Sequence, residues 1–384
     1  MRIHTPRICV QEGMARLSAR IEMQTPPEGL PDTLWFEFPE SYRAWLSPRA
    51  DAFVVSLLLT AMERGEDIEA CAPLSPHLRR GIEEYQRLFH IWRSYLRLVS
   101  IRSEDDDSVQ EATPCAVGCA FSGGADSFFT LYSHLPAREP LPDYRITHAL
   151  FLHGFDVPLE DEATYAQAAG AYQGMMETLN IAFVPVRTNS RDFVRHLDWQ
   201  MAHGVVLLGA ALALEPMFSR FYIPSSQYYG ETAPWGSDYR TDPLLSTQTM
   251  QFVNDGASYT RVEKINAFAH WPEAYARLRV CWEKLDGLNN CCVCSKCVRT
   301  MAALEVCGAL PHYTTFPLPF TRRQVRNCHL EDYEFDQIDR AIEHAAAAGR
   351  SDVVADLRYA LRRARLRTFL GRNKRRVRSW FVRS

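Results

Sequence analysis

The chain has 384 residues, of which 47% are hydrophobic and 23% are charged, and its net charge is −3. This length predicts two domains, or one large domain with an extension. The balanced charge gives no argument for nucleic-acid or membrane binding by the chain as a whole. Because no apolar run is long enough for a signal peptide or a membrane span, we expect a cytoplasmic protein.

The first section of the chain, residues 1–108, is predicted to form a small α+β domain. Its apolar patterns predict two strands and then two helices, at Ala15–Met23, Leu34–Phe38, Ala52–Arg64 and Ser75–Val99. The second helix begins with a serine cap and a proline at its first position. The acidic stretch Ser103–Gln110 has no apolar periodicity, which predicts a linker.

The middle section, residues 109–328, alternates between strand and helix patterns. The predicted elements, in chain order, are Ala116–Phe121, Asp126–His134, Thr147–Leu152, Thr164–Leu179, Ile181–Val186, Val205–Leu214 and Arg220–Pro224. This order predicts an α/β fold with a parallel sheet and helices on both faces. We expect the active site at the carboxyl ends of the strands, where such sheets bind ligands.

The last section, residues 329–384, is predicted to be a helical tail. Glu331–Ala347 and Asp352–Phe369 have helical spacing, and the segment from Arg358 onward is strongly basic. Such a segment is usually a solvated helix face. The alternative is a surface that contacts nucleic acid, an anionic lipid surface or an acidic partner.

A glycine turn after the first strand of the middle section carries the string Ser122-Gly-Gly-Ala-Asp-Ser127. Two glycines let backbone N–H groups approach an anion, and the helix N-terminus behind them favours negative charge. The hydroxyl groups can donate hydrogen bonds, and Asp126 can help to hold a divalent cation that bridges phosphates. The spacing is not that of a Walker A loop, which places a lysine after its second glycine. The alternative is a turn that only connects strand and helix.

This string resembles the pyrophosphate-binding loop of the PP-loop ATP pyrophosphatases, which include asparagine synthetase, GMP synthetase, argininosuccinate synthetase and tRNA thiolases. The resemblance implies an adenine nucleotide alpha hydrolase-like fold and an adenylated intermediate, with pyrophosphate as the leaving group. It also implies that ATP and Mg²⁺ are bound by the residues that match the loop, Ser122, Gly123, Gly124, Asp126 and Ser127.

Four cysteines near the end of the middle section follow the pattern Cys281-x9-Cys291-x2-Cys294-x2-Cys297. Closely spaced thiolates with a fourth ligand from a neighbouring element suit a tetrahedral Zn²⁺ ion with a structural role. Cys292 could replace Cys291, but Cys291 preserves the two-residue spacing. An iron–sulfur cluster and free thiols are the alternatives.

The order of the glycine loop and a late four-cysteine site resembles the 7-cyano-7-deazaguanine synthase family, over roughly Cys115–Cys307. That resemblance implies adenylation of a carboxylate on a deazapurine, followed by conversion through an amide to a nitrile with ammonia. About 115 residues precede the loop here, and the tail beyond Leu310 is additional. The chain therefore looks like a divergent branch of the group, whose small-molecule acceptor is a carboxylate or an amide.

Further polar residues follow the other predicted strands. In this fold Asp156 would be placed to contact adenosine, and Arg187 is a second candidate for nucleotide binding, although either could serve its own loop. Arg261 and Lys264 lie one helical turn apart and could neutralise pyrophosphate, or form a solvated face with Glu263. Weaker candidates are substrate contacts by Ser225, Ser226, Ser237 and Asp242, and a catalytic thiol at Cys292 or Cys307.

The sequence thus predicts an ATP-dependent ligase that forms AMP and pyrophosphate, with Ser122, Asp126, Ser127 and Lys264 as its catalytic residues. A PP-loop enzyme that sulfurates or otherwise modifies RNA is the second interpretation. A regulator that binds adenine nucleotide without turnover is the third. A homodimer is compatible with all three.

Overall fold

The computed structural model describes residues 1–104, 114–281, 283 and 287–381, and the side chains as far as Leu370. The chain forms two compact units. The first unit comprises Met1–Ser122 and Thr130–Ser258, and the second comprises Gly123–Phe129 and the chain from Tyr259 onward. Among the described residues, no helix combines the length and the hydropathy needed to cross a bilayer.

The first unit contains a single sheet and the helices that flank it. The strands are β1 Arg2–Ile3, β2 Arg7–Gln11, β3 Met14–Glu22, β4 Thr33–Pro39, β5 Ile68–Pro73, β6 Ile101–Glu104, β7 Ala116–Ala120, β8 His148–His153, β9 Ala182–Thr188, β10 Phe218–Pro224 and β11 Gln251–Asp255. The helices are α1 Asp51–Arg64, α2 Pro76–Trp92, α4 Glu162–Thr178, α5 Ser190–Val194 and α6 Trp199–Leu212, while α3 Ala125–Ser133 begins in the second unit.

The sheet is mixed but mostly parallel, with the strand order β11-β10-β7-β8-β9-β4-β3-β1-β5-β6 and β2 paired to β3. Strands β7 to β11 are parallel to one another. The chain places β8 and β9 on one side of β7 and then returns to place β10 and β11 on the other side. The order therefore reverses at β7, and sheets of this kind bind ligands where the order reverses, beyond the carboxyl ends of the strands. The predicted α/β class is confirmed.

The strands of the first 108 residues belong to the same sheet as those of the middle section. The two compact units are therefore not separated near residues 108 and 328, where the sequence predicts boundaries. Strand β4 pairs antiparallel with β9, through Phe36 opposite Thr188 and Glu37 opposite Arg187. This pairing joins the front strands to the parallel sheet. The predicted linker Ser103–Gln110 lies mostly outside the described residues, and its first two residues belong to β6.

The core of the first unit is built around α1, where all but the last two residues are buried. Its apolar residues face the sheet on one side and α6 on the other, which explains why the helix shows almost no amphipathic pattern. The two helices approach closely at Gly209, where a Cβ atom would collide with the Ser56 hydroxyl. Small residues at this contact are therefore a packing requirement.

Gly204 of α6 is expected to tolerate no side chain. A Cβ atom there would collide with the carbonyl oxygen of Gly236, in the loop that follows β10. Gly204→Ala should therefore lower the free energy of unfolding by about 1–3 kcal/mol, measured by urea denaturation. Gly174→Ala is the control, because nothing lies within 4 Å of a Cβ atom at that position in α4. That variant should gain about 0.5–1 kcal/mol, and equal effects of the two changes would contradict the packing.

The second unit is helical in its described part. Its helices are α7 Arg261–Phe268, α8 Pro272–Tyr275, α9 Ser295–Val306, α10 Arg322–Asn327, α11 Phe335–Ala347 and α12 Ser351–Phe381. The apolar faces of α11 and α12 are buried, in agreement with the helical spacing of the tail. Several tail arginines bond within the unit, since Arg365 pairs with Asp339 at 2.6 Å and Arg367 donates to the carbonyl oxygen of Leu330 at 2.7 Å.

Candidate functional site

The glycine loop has the conformation that its sequence predicts. Gly123 has φ = 76°, in the left-handed region that favours glycine, and α3 begins two residues later. The carbonyl oxygen of Gly124 accepts the Phe128 N–H at 3.0 Å and the Ser127 hydroxyl at 2.9 Å, which fixes the first turn of the helix. Ser122 is exposed, whereas Ser127 is buried. The first backbone N–H groups of α3 therefore lie directly behind the glycines, as an anion-binding loop requires.

Asp126 is the centre of a charged group in the second unit. Its Oδ2 accepts from Arg261 Nη2 at 2.6 Å, and Lys264 Nζ lies 3.5 Å from its Oδ1. Burial alone would raise the pKa of Asp126, but Arg261, Lys264 and Lys296 together hold it below its usual value. The aspartate is therefore ionised beside three cations. The group as a whole carries excess positive charge, which suits the binding of a polyphosphate.

Helix α7 is fixed so that both of its cations reach Asp126. Thr260 caps the helix and accepts the N–H of Glu263, whose carboxylate accepts the Thr260 N–H at 2.7 Å in return. Glu263 is thus occupied with the cap, and Lys264 is only 1% exposed. The alternative of a solvated helix face does not describe this turn, because Arg261 and Lys264 both point at the half-buried Asp126 carboxylate.

Two buried arginines near this group were not identified from the sequence. Arg299 forms an ion pair with Glu334 at 3.0 Å, and both side chains are buried. Arg279 donates its backbone N–H to the carbonyl oxygen of Gly123 at 2.8 Å and is only 6% exposed. Its Nε and Nη1 atoms have no hydrogen-bond partner in the part of the chain that the structure describes.

The four predicted cysteine ligands lie together and could hold a metal ion. The Sγ atoms of Cys281, Cys291, Cys294 and Cys297 all lie within 4.8 Å of one another, and those of Cys291 and Cys297 are 3.7 Å apart. A single ion at about 2.3 Å from four sulfurs would separate them by roughly 3.8 Å. An iron–sulfur cluster attaches its cysteines to separate irons and so spreads them farther apart. The spacing therefore favours one tetrahedral ion.

The cysteine group is assembled by Asn290, a residue that sequence reasoning missed. Its Oδ1 accepts the backbone N–H groups of Val280 and Cys281 at 2.8 and 3.0 Å, and its Nδ2 donates to the carbonyl oxygens of Leu278 and Thr315. It thus ties the remote ligand to the segment that carries the other three. The N-terminus of α9 lies at Cys294, and its positive dipole end favours thiolates there.

The two candidate catalytic thiols are in surroundings that disfavour a nucleophile. Cys292 lies outside the four-cysteine group, and its Sγ donates to the carbonyl oxygen of Asn290 at 3.3 Å. Cys307 donates to Asn266 Oδ1 at 2.7 Å. Burial raises the pKa of both thiols, whereas a reactive cysteine needs a lowered pKa.

Asp156 and Arg187 belong to the first unit, where each lies after its predicted strand. Asp156 is exposed in the loop that follows β8. Arg187, at the end of β9, pairs with Glu162 at 3.2 Å and with Glu37 at 3.5 Å. Arg187 therefore has carboxylate partners within its own unit, and a role of either residue in nucleotide binding stays a prediction.

The long loop after β10 is held together by Asp242, which is completely buried. This carboxylate accepts from the Ser237 hydroxyl at 2.7 Å, from Asn254 Nδ2 at 2.8 Å and from the Asp238 N–H at 3.1 Å. Burial raises the pKa of Asp242 to about 7, against the lowering effect of these hydrogen bonds. Asp242 thus stabilises the conformation of the loop through these hydrogen bonds.

This buried carboxylate should make the protein less stable as the pH rises. Because its pKa lies near 4 when unfolded and about 7 when folded, the folded chain holds an extra proton between these values. The free energy of unfolding should therefore fall across this window, by at most about 1.4 kcal/mol per pH unit for this group. Asp242→Asn should remove this slope in urea denaturation at pH 5, 6, 7 and 8. An unchanged slope would contradict the assignment.

Comparison of the chain with protein-family models, with curated proteins and with solved structures gave no match. The structure brings together the loop aspartate with Arg261 and Lys264, and the four cysteines with one another.

Proposed function

We propose that the protein is an ATP-dependent enzyme that adenylates a small carboxylate or amide substrate and releases pyrophosphate. The observation that carries the proposal is the charged group of half-buried Asp126 and Arg261 with buried Lys264, directly behind a glycine loop at a helix N-terminus. A structural turn needs no such charges. A loop that binds a triphosphate needs N–H donors together with cations that neutralise developing charge.

The second unit's residues would take separate roles toward ATP. The Gly123 and Gly124 turn, with the first N–H groups of α3, binds phosphate oxygens. Lys264 stabilises the charge that collects on the leaving pyrophosphate, because its ammonium group is shielded from water and fixed in place. Asp126 holds Arg261 and Lys264 in position, since both cations converge on its carboxylate.

The reaction that fits these roles is an in-line displacement. An oxygen of the substrate carboxylate attacks the α-phosphorus of ATP, and the bond from that phosphorus to the bridging oxygen of the β-phosphate breaks. Pyrophosphate leaves with the electron pair. Ammonia, or another nucleophile, then attacks the acyl carbon and expels AMP with the electron pair of the broken C–O bond. With ammonia, the products are an amide, AMP and a proton. The protein contributes position and charge stabilisation, so no general base is required.

Two metal ions fit the residues present. The contact of Asp126 Oδ1 with Lys264 Nζ is long, at 3.5 Å, so this oxygen can serve as a ligand of Mg²⁺ that arrives with ATP. That ion would supply charge neutralisation of the polyphosphate. The four cysteines fit Zn²⁺, which would supply a structural cross-link and leave no position for substrate.

The test is a product assay on the purified protein with Mg-ATP, ammonium and a panel of carboxylates that begins with 7-carboxy-7-deazaguanine. Nucleotides and acceptors are followed by mass spectrometry. AMP and pyrophosphate in equal amounts, with one acceptor gaining nitrogen, are expected. ADP as the product would overturn the proposal. ATP binding without AMP formation for every acceptor would favour the regulator instead.

A further inference from the structure

Arg279 is a buried cation whose bonding is incomplete. Arg279 is only 6% exposed, and its Nε and Nη1 atoms both have no hydrogen-bond partner among the described residues. Two other arginines of the second unit that are largely shielded from solvent have carboxylate partners. Arg261 binds Asp126, and Arg299 binds Glu334.

An unpaired guanidinium group in the interior is costly, because its charge and its N–H donors are both removed from water. Proteins keep such a group where a ligand supplies the missing partner. The guanidinium fork matches the paired oxygens of a phosphate or a carboxylate. The backbone of the same residue donates to Gly123, so the residue is anchored to the glycine loop.

We propose that Arg279 is an anion-binding residue that contacts the β- or γ-phosphate of the nucleotide, and then the leaving pyrophosphate. This assignment rests on the proposed function. Arg279 would be a fourth cation beside Arg261, Lys264 and Lys296. It lies in a segment that has no sequence motif for phosphate binding. The phosphate group supplies the acceptors that Nε and Nη1 lack.

The neighbouring cysteine group is the other source of negative charge. Arg279 lies two residues before Cys281, and four thiolates around a divalent ion carry a net charge of about −2. No sulfur accepts a hydrogen bond from Nε or Nη1. The geometry therefore favours an external anion, and the experiment below separates the two.

The experiment titrates inorganic pyrophosphate into the full-length chain by calorimetry, beside thermal unfolding without ligand and zinc analysis. Arg279→Met keeps the length of the side chain and removes its charge. Pyrophosphate affinity should fall about tenfold or more, with the zinc content unchanged. The melting temperature without ligand should stay or rise, because an unpaired buried charge has been removed. Arg279→Lys should bind pyrophosphate with intermediate affinity.

Arg277→Met is the matched control, two residues away on the same segment, where Arg277 donates to the carbonyl oxygen of Glu273. It should bind pyrophosphate as the unaltered chain does. Unchanged affinity in Arg279→Met, or loss of zinc with a lower melting temperature, would overturn the assignment. If that variant still forms AMP at the full rate, only the Arg279 assignment fails. If the unaltered chain binds pyrophosphate through Arg279 but never forms AMP, only the proposed function fails.

Discussion

Lys264→Met is expected to lower the rate of AMP formation by about 10²–10³-fold while leaving the chain folded. Lys264 is the most deeply buried cation of the loop group, and its ammonium group lies 3.5 Å from Asp126. In the proposed reaction, a charge held there and shielded from water would stabilise the departing pyrophosphate strongly, and methionine fills the same space without the charge. The measurement is the initial rate of AMP release under saturating Mg-ATP. Lys264→Arg keeps the charge and should retain part of the rate.

A double-mutant cycle distinguishes the catalytic role of Lys264 from a structural one. Asp126→Asn should lower the melting temperature, because Arg261 and Lys264 would then face a neutral group. Adding Lys264→Met should cost less stability than the sum of the single changes, since one of the two cations that lost the Asp126 charge is then gone. AMP formation should stay lost in the double variant. Full activity in Lys264→Met would contradict the proposed role.

The sequence predicts the elements of the parallel half of the sheet well, because each one has its own apolar pattern. Strand β10 begins two residues before its predicted start, and α2 ends at Trp92 where Val99 was predicted. Five strands were not predicted, namely β1, β2, β5, β6 and β11. The pairing partners of β1 and β11 come from other segments of the chain, so the few residues of these two strands carry little local signal.

The division of the chain could not be predicted for a similar reason. Strand β4 follows a clear pattern, but nothing in that pattern indicates that its partner is β9, about 150 residues later. The acidic stretch after β6 suggested a boundary between domains. The strands before and after this stretch belong to the same sheet instead. Strand pairing of this kind depends on tertiary structure rather than on local sequence.

The candidate site divides in the same way. The glycine loop and the four cysteines could be identified, because the spacing of the loop and of three cysteines is local and Cys281 lies only ten residues before them. The pairing of Asp126 with Arg261 spans 135 residues, so only the helical spacing of Arg261 and Lys264 gave a signal. Asn290 could have been suspected from its position directly before Cys291. Arg279 gave no signal, because the feature that singles it out is an unfilled hydrogen-bonding requirement that only the folded chain reveals.

Cys297→Ser is expected to abolish metal binding and to destabilise the second unit. The Sγ atom of Cys297 lies 3.7 Å from that of Cys291, and its residue is completely buried at the start of α9. A serine hydroxyl is a poor ligand for zinc, and removing a structural metal forfeits the folding free energy that its binding contributes. Metal analysis of the purified chain should give one zinc per chain, and the variant should give none. Its melting temperature should fall to that of the chelator-treated chain.

Cys292→Ser is the control that makes this expectation specific. Cys292 is equally buried and adjacent to Cys291, but its sulfur lies outside the four-cysteine group and donates to the Asn290 carbonyl oxygen. A serine hydroxyl can make the same hydrogen bond, so this variant should keep its zinc and most of its stability. If Cys292→Ser lost its zinc and Cys291→Ser kept it, Cys292 and not Cys291 would be the metal ligand. If the metal analysis instead found several irons per chain with acid-labile sulfide, the site would hold an iron–sulfur cluster and not a single ion. The close packing of the four sulfurs disfavours that outcome.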